Sequence, residues 1–567
     1  MQSTNNMKHD LNAEPAATGA VTRRSFLTGL ALGGAGMAGA AMLGGCAPQA
    51  KAPESGEAAQ LAETGEPSFM TPPEPVAEAD IVNTLETDVL VIGGATAGSI
   101  TASVAATNGL NVIMIEKNDE ARCIGRDFGF VNPKPVLDAG LPRLDPYELT
   151  RDHIEKSGHR VCGDVVYRFM TKSEEAGNWF TDKCATWGLH PEVQAYSSNS
   201  DFYRNYTHVI NYYPEEGRSE DRYGVMKTML SSMAQEVVDA GGQYLTRTEA
   251  VELVRSDDGA ITGAICSTDE GYVRINASKG VVLATGDYAA NEEMMAYYSG
   301  WPLEDIDWPE STGMGEGHKL GLWIGAKMQE APHPMMLFKA YCYHYLRVNK
   351  HGRRYVNEDS GYVGTAVSQL RQPDHISFAI WDSKWPTELP ASLEYGGGMA
   401  WDQDFRAYGE EWTAEREEES AFGWERDEDE ILYEADTLEE LADLMGFEGD
   451  ARETLFATID RYNELVATGN DEDFGKRPEL LTSITEPPFY ALDMKTELGV
   501  SVGGFITDVD SNVLDEDGSP IPGLYAVGTV TGTLFGVDYN ETTVPGISLA
   551  RNVVFGKALG EHLASLA

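Results

Sequence analysis

Residues 88–116 restrict the fold more than any other stretch of this chain. Asp88-Val89-Leu90-Val91-Ile92 is a short β-branched run that stops at Gly93-Gly94-Ala95-Thr96-Ala97-Gly98 and passes into a helical stretch, 99–108. A second apolar run, Asn111-Val112-Ile113-Met114-Ile115, ends in Glu116, followed by Lys117. Strand, glycine turn, helix, strand and acid in this order set a pyrophosphate on a helix N-terminus and a carboxylate on a ribose hydroxyl. The sequence therefore predicts a Rossmann-like α/β domain with a dinucleotide site formed by Gly93, Ala95, Thr96, Ala97, Gly98, Glu116 and Lys117. The middle glycine of the usual fingerprint is Ala95 here, and its methyl group predicts a small local shift of the backbone.

Distant segments extend the same site. A hairpin is expected from 248–254, which holds Ala250, and 260–265. The apolar run 280–284 stops at Thr285-Gly286-Asp287, a glycine loop at 313–317 ends in Gly317 before a helix over 319–324, and the run 523–527 stops at Gly528-Thr529. One cofactor site is thus expected to draw on both ends of the chain.

The 567 residues carry 42 Lys and Arg against 91 Asp and Glu, a net charge of −49 that repels phosphate backbones and excludes nucleic acid as a partner. Six cysteines, none in a C-x-x-C pair, make no disulfide scaffold, zinc ribbon, iron–sulfur site or c-type haem. No metal is expected. Thr22-Arg23-Arg24-Ser25-Phe26-Leu27 before a Gly/Ala-rich run reads as a twin-arginine export signal, and Leu43-Gly44-Gly45-Cys46 resembles a lipoprotein box. Residues 1–46 are read as the signal and 47–86 as a solvated Ala/Glu/Pro tether. The expected location is the extracytoplasmic face of the cell membrane, with a lipid on Cys46.

From 86 to 562 the chain resembles the flavoprotein family of soluble fumarate reductases, urocanate reductases and ketosteroid dehydrogenases. The carriers are Val91-Ile92-Gly93-Gly94, Ala284-Thr285-Gly286, Gly315-Glu316-Gly317-His318-Lys319, Val348 through Tyr355, Pro488-Phe489-Tyr490 and Gly523 through Gly532. The resemblance implies an α/β fold in which a Rossmann-like FAD-binding domain, 87–325 and 488–567, receives an inserted α+β capping domain, 326–487. It implies bound FAD, with Gly125, Ser548 and Leu549 among the flavin contacts, and hydride exchange between flavin N5 and a carbon–carbon bond. Within the cap, Thr437-Leu438-Glu439-Glu440 is a capping box, and Leu455, Ile459, Tyr462 and Val466 repeat at helical spacing. Five of the ten tryptophans lie between Trp381 and Trp424 and read as cap core or as a substrate shelf.

Alkene reduction needs a proton donor opposite the hydride donor. The resemblance to N-x-x-G-x-R-[FY] places Arg354 there, with Glu358 or Asp359 as the carboxylate that returns its proton. His333 stands where the family has a substrate histidine, and reads equally well as a satisfied loop residue. The family's Ser-Glu-x-x-Arg-Gly, His-His-Thr and Arg-Leu-Gly-Gly-Asn stretches have become Tyr341-Cys342-Tyr343-His344-Tyr345, Gly499-Val500-Ser501 and Asp538 through Gly546. Lost cations and gained tyrosines, Tyr539 included, suit a small-molecule acceptor larger and less charged than fumarate, an enoate or enone. Electrons are expected from a separate donor, a membrane cytochrome or small flavoprotein. Two other readings stay open. A ketosteroid-type dehydrogenase would use Tyr539 or Tyr345 as base, and a flavin-binding electron-transfer lipoprotein would do no alkene chemistry.

Overall fold

Thr96–Thr107, the first helix of the expected nucleotide unit, is built from small residues, and nearly all of it is buried. Small side chains let it sit against its neighbours almost backbone to backbone, so its position follows from composition. The computed structural model describes residues 67–123, 125–195, 208–215, 224–300, 311–338, 344–395, 399, 406–423, 431–494, 496–536, 538–539 and 543–566. The export signal, Cys46, the first half of the tether, Tyr341, Tyr343, Trp401 and Trp424 lie outside them.

In chain order, strand β1 (Ile81–Ile92) leads through helix α1 (Thr96–Thr107) to β2 (Val112–Ile115). Four further strands follow: β3 (Gln243–Leu245), β4 (Glu249–Arg255), β5 (Ile261–Thr268) and β6 (Gly271–Leu283). Strands β1, β2 and β3 run parallel, and β1 also pairs in parallel with β6 along nearly its whole length. Helix α2 (Glu316–Trp323) starts three residues before the expected 319, because Gly315 at φ 72° lets the chain turn into it. It is followed by β7 (Met335–Phe338).

A second sheet then forms from β8 (Leu346–Asn349), β9 (Ser377–Asp382), β10 (Leu432–Ala435) and β11 (Phe489–Met494), with helix α3 (Gly361–Gln369) between β8 and β9 and α4 (Leu438–Leu444) and α5 (Gly449–Thr468) between β10 and β11. Its order is β8-β9-β11-β10, all antiparallel. Thr437 caps α4 by accepting from the Glu440 amide at 3.1 Å. Leu455, Ile459 and Tyr462 of α5 pack with Leu346, Val348 and Phe378 in one core, while Tyr345, Trp381 and Trp385 lie in the core on the sheet's other face.

Strand β12 (Glu497–Ser501) pairs with β7; β13 (Asn512–Leu514) and β14 (Pro520–Ala526) complete the large sheet; and α6 (Ile547–Ser565) closes the chain. Strand β14 runs parallel to β6 through Leu524–Ala526, so the C-terminal end of the chain is inserted beside the N-terminal strands. The small sheet spans 346–494, a narrower start and a later end than the expected 326–487. Residues 326–338 instead join the large unit, where Lys327 donates to the Leu514 carbonyl at 2.8 Å and β7 pairs with β12. Those partners lie some 160 to 190 residues downstream, which no local pattern reveals. Among the described residues no helix is long and apolar enough to cross a membrane.

Candidate active site

The glycine turn after β1 is held at van der Waals limits. A Cβ on Gly98 would lie 1.9 Å from the Gly93 carbonyl oxygen, and one on Gly93, at φ 106°, would lie 2.3 Å from the Ala284 carbonyl oxygen. Only glycine fits at these two positions. Ala95 is the residue before the first turn of α1, extended at φ −73° and ψ −172°, and no side chain caps the helix. The first-turn amides of α1 are thus left to an anion. Glu116, nearly buried, accepts from the Gly94 amide at 3.1 Å and from the Asn118 amide at 3.0 Å, so it also ties the glycine turn to the end of β2. Lys117 pairs with Glu316 at the start of α2.

The distant candidates converge on this turn. A Cβ on Gly317 would lie 2.0 Å from Thr285 Oγ1, and one on Gly528, at φ 84°, would lie 3.0 Å from the Ala97 Cβ and 3.4 Å from Asn552 Oδ1. Gly125 faces the Leu549 side chain, and Thr529 and Ser548 are half-buried beside them. Ala250 is buried on β4, and the Thr248 amide donates to the Glu116 carbonyl at 2.9 Å.

Two observations show a cradle for a bound group. Thr285 Oγ1 is shielded from solvent and has no hydrogen-bond partner. Gly286, at φ 79°, has nothing within 4 Å of where a Cβ would stand, although Asp287 beside it is buried. An orphaned hydroxyl, an open glycine and an uncapped helix N-terminus fit the pyrophosphate-bearing FAD. Asp287, expected at the cofactor, is engaged by the chain: Oδ2 accepts from the Ser501 amide at 2.9 Å and from the Ala289 amide at 3.3 Å, and Oδ1 accepts from Ser311. It ties three loops together, and burial pushes its pKa up to about 6.

Each catalytic candidate is engaged by its own local partners. His333 is buried; Nε2 lies 2.8 Å from the Gln329 carbonyl, which can only accept, so Nε2 donates and Nδ1 accepts from Tyr288 Oη at 2.7 Å. Its ring stacks on Tyr298 with centroids 4.3 Å apart, and a Cβ on Gly503 would lie 2.4 Å from its Cγ. Of the two readings open for His333, the satisfied residue is the one this geometry matches. Both nitrogens are spent within the protein.

Arg354 lies within the small-sheet unit. Its Nε and Nη2 donate to Glu358 at 3.0 and 2.7 Å, and its Nη1 and Nη2 to Asp471 at 3.0 and 2.8 Å. The guanidinium is sandwiched by Tyr462 and Phe474. Burial alone would lower its pKa, but the Glu358 and Asp471 contacts outweigh that and raise it. Glu358 is the carboxylate in contact with Arg354, whereas Asp359 pairs with Arg477 at 2.6 and 2.7 Å. A cation gripped by two carboxylates holds its protons more firmly, which is the arrangement of a structural clamp. Tyr345 stacks on Trp381 in the cap core. Tyr539 lies elsewhere, fully buried near the start of α6, where its Oη accepts from the Ser548 amide at 3.4 Å.

Sequence reasoning missed Gln329, Tyr288, Asp471, Lys476 and Arg551. None stands in a local motif; the first four matter through partners distant in the chain, as when Gln329 accepts from the Thr533 amide at 2.9 Å, and Arg551 through its burial.

Burial has a measurable consequence. Desolvation lowers the pKa values of His153, His318 and His333 to about 4, 3 and 4 from the usual 6.5. On acidification the unfolded chain binds these three protons near pH 6.5, and the folded chain does not until near pH 4. Asp287, raised to about 6, works in the opposite sense and offsets one of them. The stability these groups contribute is whole above pH 6.5 and falls toward pH 4, by roughly 3 kcal/mol per pH unit for two net protons. Thermal unfolding followed from pH 7 to pH 5 is expected to show a falling midpoint; a flat or rising one would mean the histidines are charged in the fold.

The profile of the FAD binding domain family matches residues 88–541. A vinyl phenol reductase of Lactiplantibacillus plantarum is 27% identical over 514 residues, which cover 84% of this chain and 96% of that protein. A digoxin reductase of Eggerthella lenta is 25% identical over 598 residues, 96% of this chain and 97% of that one. In fold the chain is similar to a 3-ketosteroid-Δ4-(5α)-dehydrogenase of Rhodococcus jostii, with a TM-score of 0.66, 23% identity and coverage of 87% of this chain and 100% of the other.

Proposed function

This chain belongs to the FAD binding domain family, and from that premise we propose that it saturates the polarised carbon–carbon double bond of an acceptor larger and less charged than fumarate. It is an FAD-dependent oxidoreductase, and its named relatives reduce unsaturated compounds. The closed hydrogen bonding of His333 carries the proposal about the acceptor, because an imidazole with both nitrogens spent offers nothing to a substrate carboxylate. The relatives named for vinyl phenol and for digoxin point the same way, since neither compound is a small dicarboxylate.

Bound FAD supplies the hydride. The amides of α1, the Thr285 hydroxyl and the turns at Gly286 and Gly528 would hold the cofactor. The Tyr288–His333–Gln329 hydrogen-bond chain fixes β7 and the Gly503 turn beside it. For the proton we assign Tyr539. Its oxygen accepts from a first-turn amide of α6, and the positive end of that helix stabilises the phenolate left after proton transfer.

Anaerobic mixing of the chemically reduced protein with 4-vinylphenol, an enone steroid and fumarate tests this reading. Reoxidation by one of the first two should exceed that by fumarate, and Tyr539→Phe should slow the best acceptor about 100-fold with its FAD retained. Fumarate as the fastest acceptor, or no reoxidation by any of a broad panel of unsaturated acids and ketones, sinks the proposal. Hydride uptake from saturated ketones by the oxidised protein would instead support the dehydrogenase reading.

Export and lipidation at Cys46 remain part of the proposal, supported by Arg23-Arg24 and Leu43 through Cys46. So does a separate electron donor, which the acidic surface would attract if basic. Cys46→Ala should release the chain from membranes; membrane retention of that variant would remove the anchor.

A further inference from the structure

Among the described residues of this acidic protein, the buried Arg551 has no counter-ion. It is 1% exposed, and its Nε, Nη1 and Nη2 are all shielded from solvent with no hydrogen-bond partner. Its guanidinium lies over the Phe535 ring, 5.2 Å from the centroid. A buried charge in that state is costly, and evolution ordinarily pairs it or removes it. Burial lowers its pKa only to about 10, so it stays charged at neutral pH.

Its place on α6 gives the charge a purpose. Helices α1 and α6 run in the same direction: a Cβ on Gly556 would meet Ala97 O, Ile100 and Thr101, and one on Gly560 would meet Thr101 O and Val104. Four residues back, Asn552 Oδ1 lies near the turn at Gly528, level with the first residues of α1. The first turn of α6, from Ile547, therefore projects about 7 Å beyond the N-terminus of α1. Helical side chains lean toward their own N-terminus, so Arg551 reaches back over that turn to Phe535, the ring that also packs on Tyr539 at 4.9 Å. The ribose of the dinucleotide belongs at Glu116 and its pyrophosphate at α1. FAD seated with its pyrophosphate at α1 would have its flavin half on the far side of that turn from Glu116, toward the projecting first turn of α6.

We propose that Arg551 is a positioning charge that favours the reduced flavin over the oxidised one. Two electrons and one proton taken from the donor would leave a bound flavin with one net negative charge, and giving a hydride to the acceptor would return it to neutral. A fixed positive charge near the ring, added to the positive end of α6, stabilises the anionic state selectively. The role rests on FAD binding and not on the identity of the acceptor, so it can be measured with no alkene present.

The test is the two-electron midpoint potential of the full-length holoprotein, titrated with dithionite and indicator dyes. Arg551→Met should lower it by at least 30 mV, a tenfold shift toward oxidised flavin, whereas Arg551→Lys, which keeps the charge, should stay near the wild-type value. Both variants should hold oxidised FAD at full occupancy, as should Arg551→Gln if the methionine variant folds poorly. An unchanged potential in the methionine variant, an equal drop in the lysine variant, or loss of oxidised FAD from both the methionine and glutamine variants overturns the assignment. None of these outcomes depends on the acceptor panel.

Discussion

Gly98→Ala is expected to give a protein purified without colour, its flavin occupancy more than tenfold below that of the wild type. A single methyl group would stand 1.9 Å from the Gly93 carbonyl oxygen and 3.1 Å from the Ala284 side chain, and both neighbours belong to the cradle. Neither is the end of a flexible side chain that could swing aside. Relief requires α1 to move off the turn, which displaces the amides that would hold the pyrophosphate. The control is Gly109→Ala, at φ 95° but with nothing within 4 Å of its Cβ, where only backbone strain of about 1 kcal/mol is expected and the flavin stays. Flavin absorbance per chain, with circular dichroism to confirm folding, reads both. Stoichiometric flavin in folded Gly98→Ala would mean that the cofactor is held elsewhere.

The second large effect falls in the small-sheet unit. Arg354 makes four charge-assisted hydrogen bonds to Glu358 and Asp471, whose side chains are buried. Glu358 also accepts from the Arg347 amide at 3.1 Å, and Asp471 from the Lys476 amide at 3.0 Å, so the clamp joins β8 to the turn after α5. Removing the cation leaves Asp471 without the cation that pairs it and Glu358 with only Lys476, 3.5 Å away, and Arg354→Met should destabilise the fold by about 3–5 kcal/mol. Arg354→Lys separates this role from proton donation. A lysine keeps the charge but loses the fork, so stability should fall while turnover per bound flavin stays within about twofold of the wild type. Loss of 100-fold or more at full flavin occupancy would restore Arg354 as the acid.

The clamp also shows how much of this arginine's surroundings a motif could reveal. The resemblance over Asn349 through Tyr355 marks Arg354 as a catalytic cation, with Glu358 or Asp359 as its relay. The four-residue spacing did bring Glu358 to the guanidinium. What no spacing revealed was Asp471, 117 residues downstream, which takes Nη1 and shares Nη2 with Glu358, while Lys476 approaches Glu358 at 3.5 Å. His333 follows the same pattern, since its neighbours along the chain leave both readings open and Tyr288, 45 residues upstream, decides between them.

Arg551 was overlooked for the opposite reason. In sequence it is one arginine on a helix, and an acidic chain offers many partners. Only packing shows that none reaches it.

The sequence alone determined the β-turn-α-β unit and the glycine turn of a dinucleotide site, because tight turns and apolar periodicity are local and act through neighbouring residues; the resemblance to the flavoprotein family added FAD. Tertiary structure alone decided which charges are neutralised, which histidine has a nitrogen to spare and where the second sheet begins. Those depend on approaches between residues tens to hundreds of positions apart, whose energies are set by burial and distance.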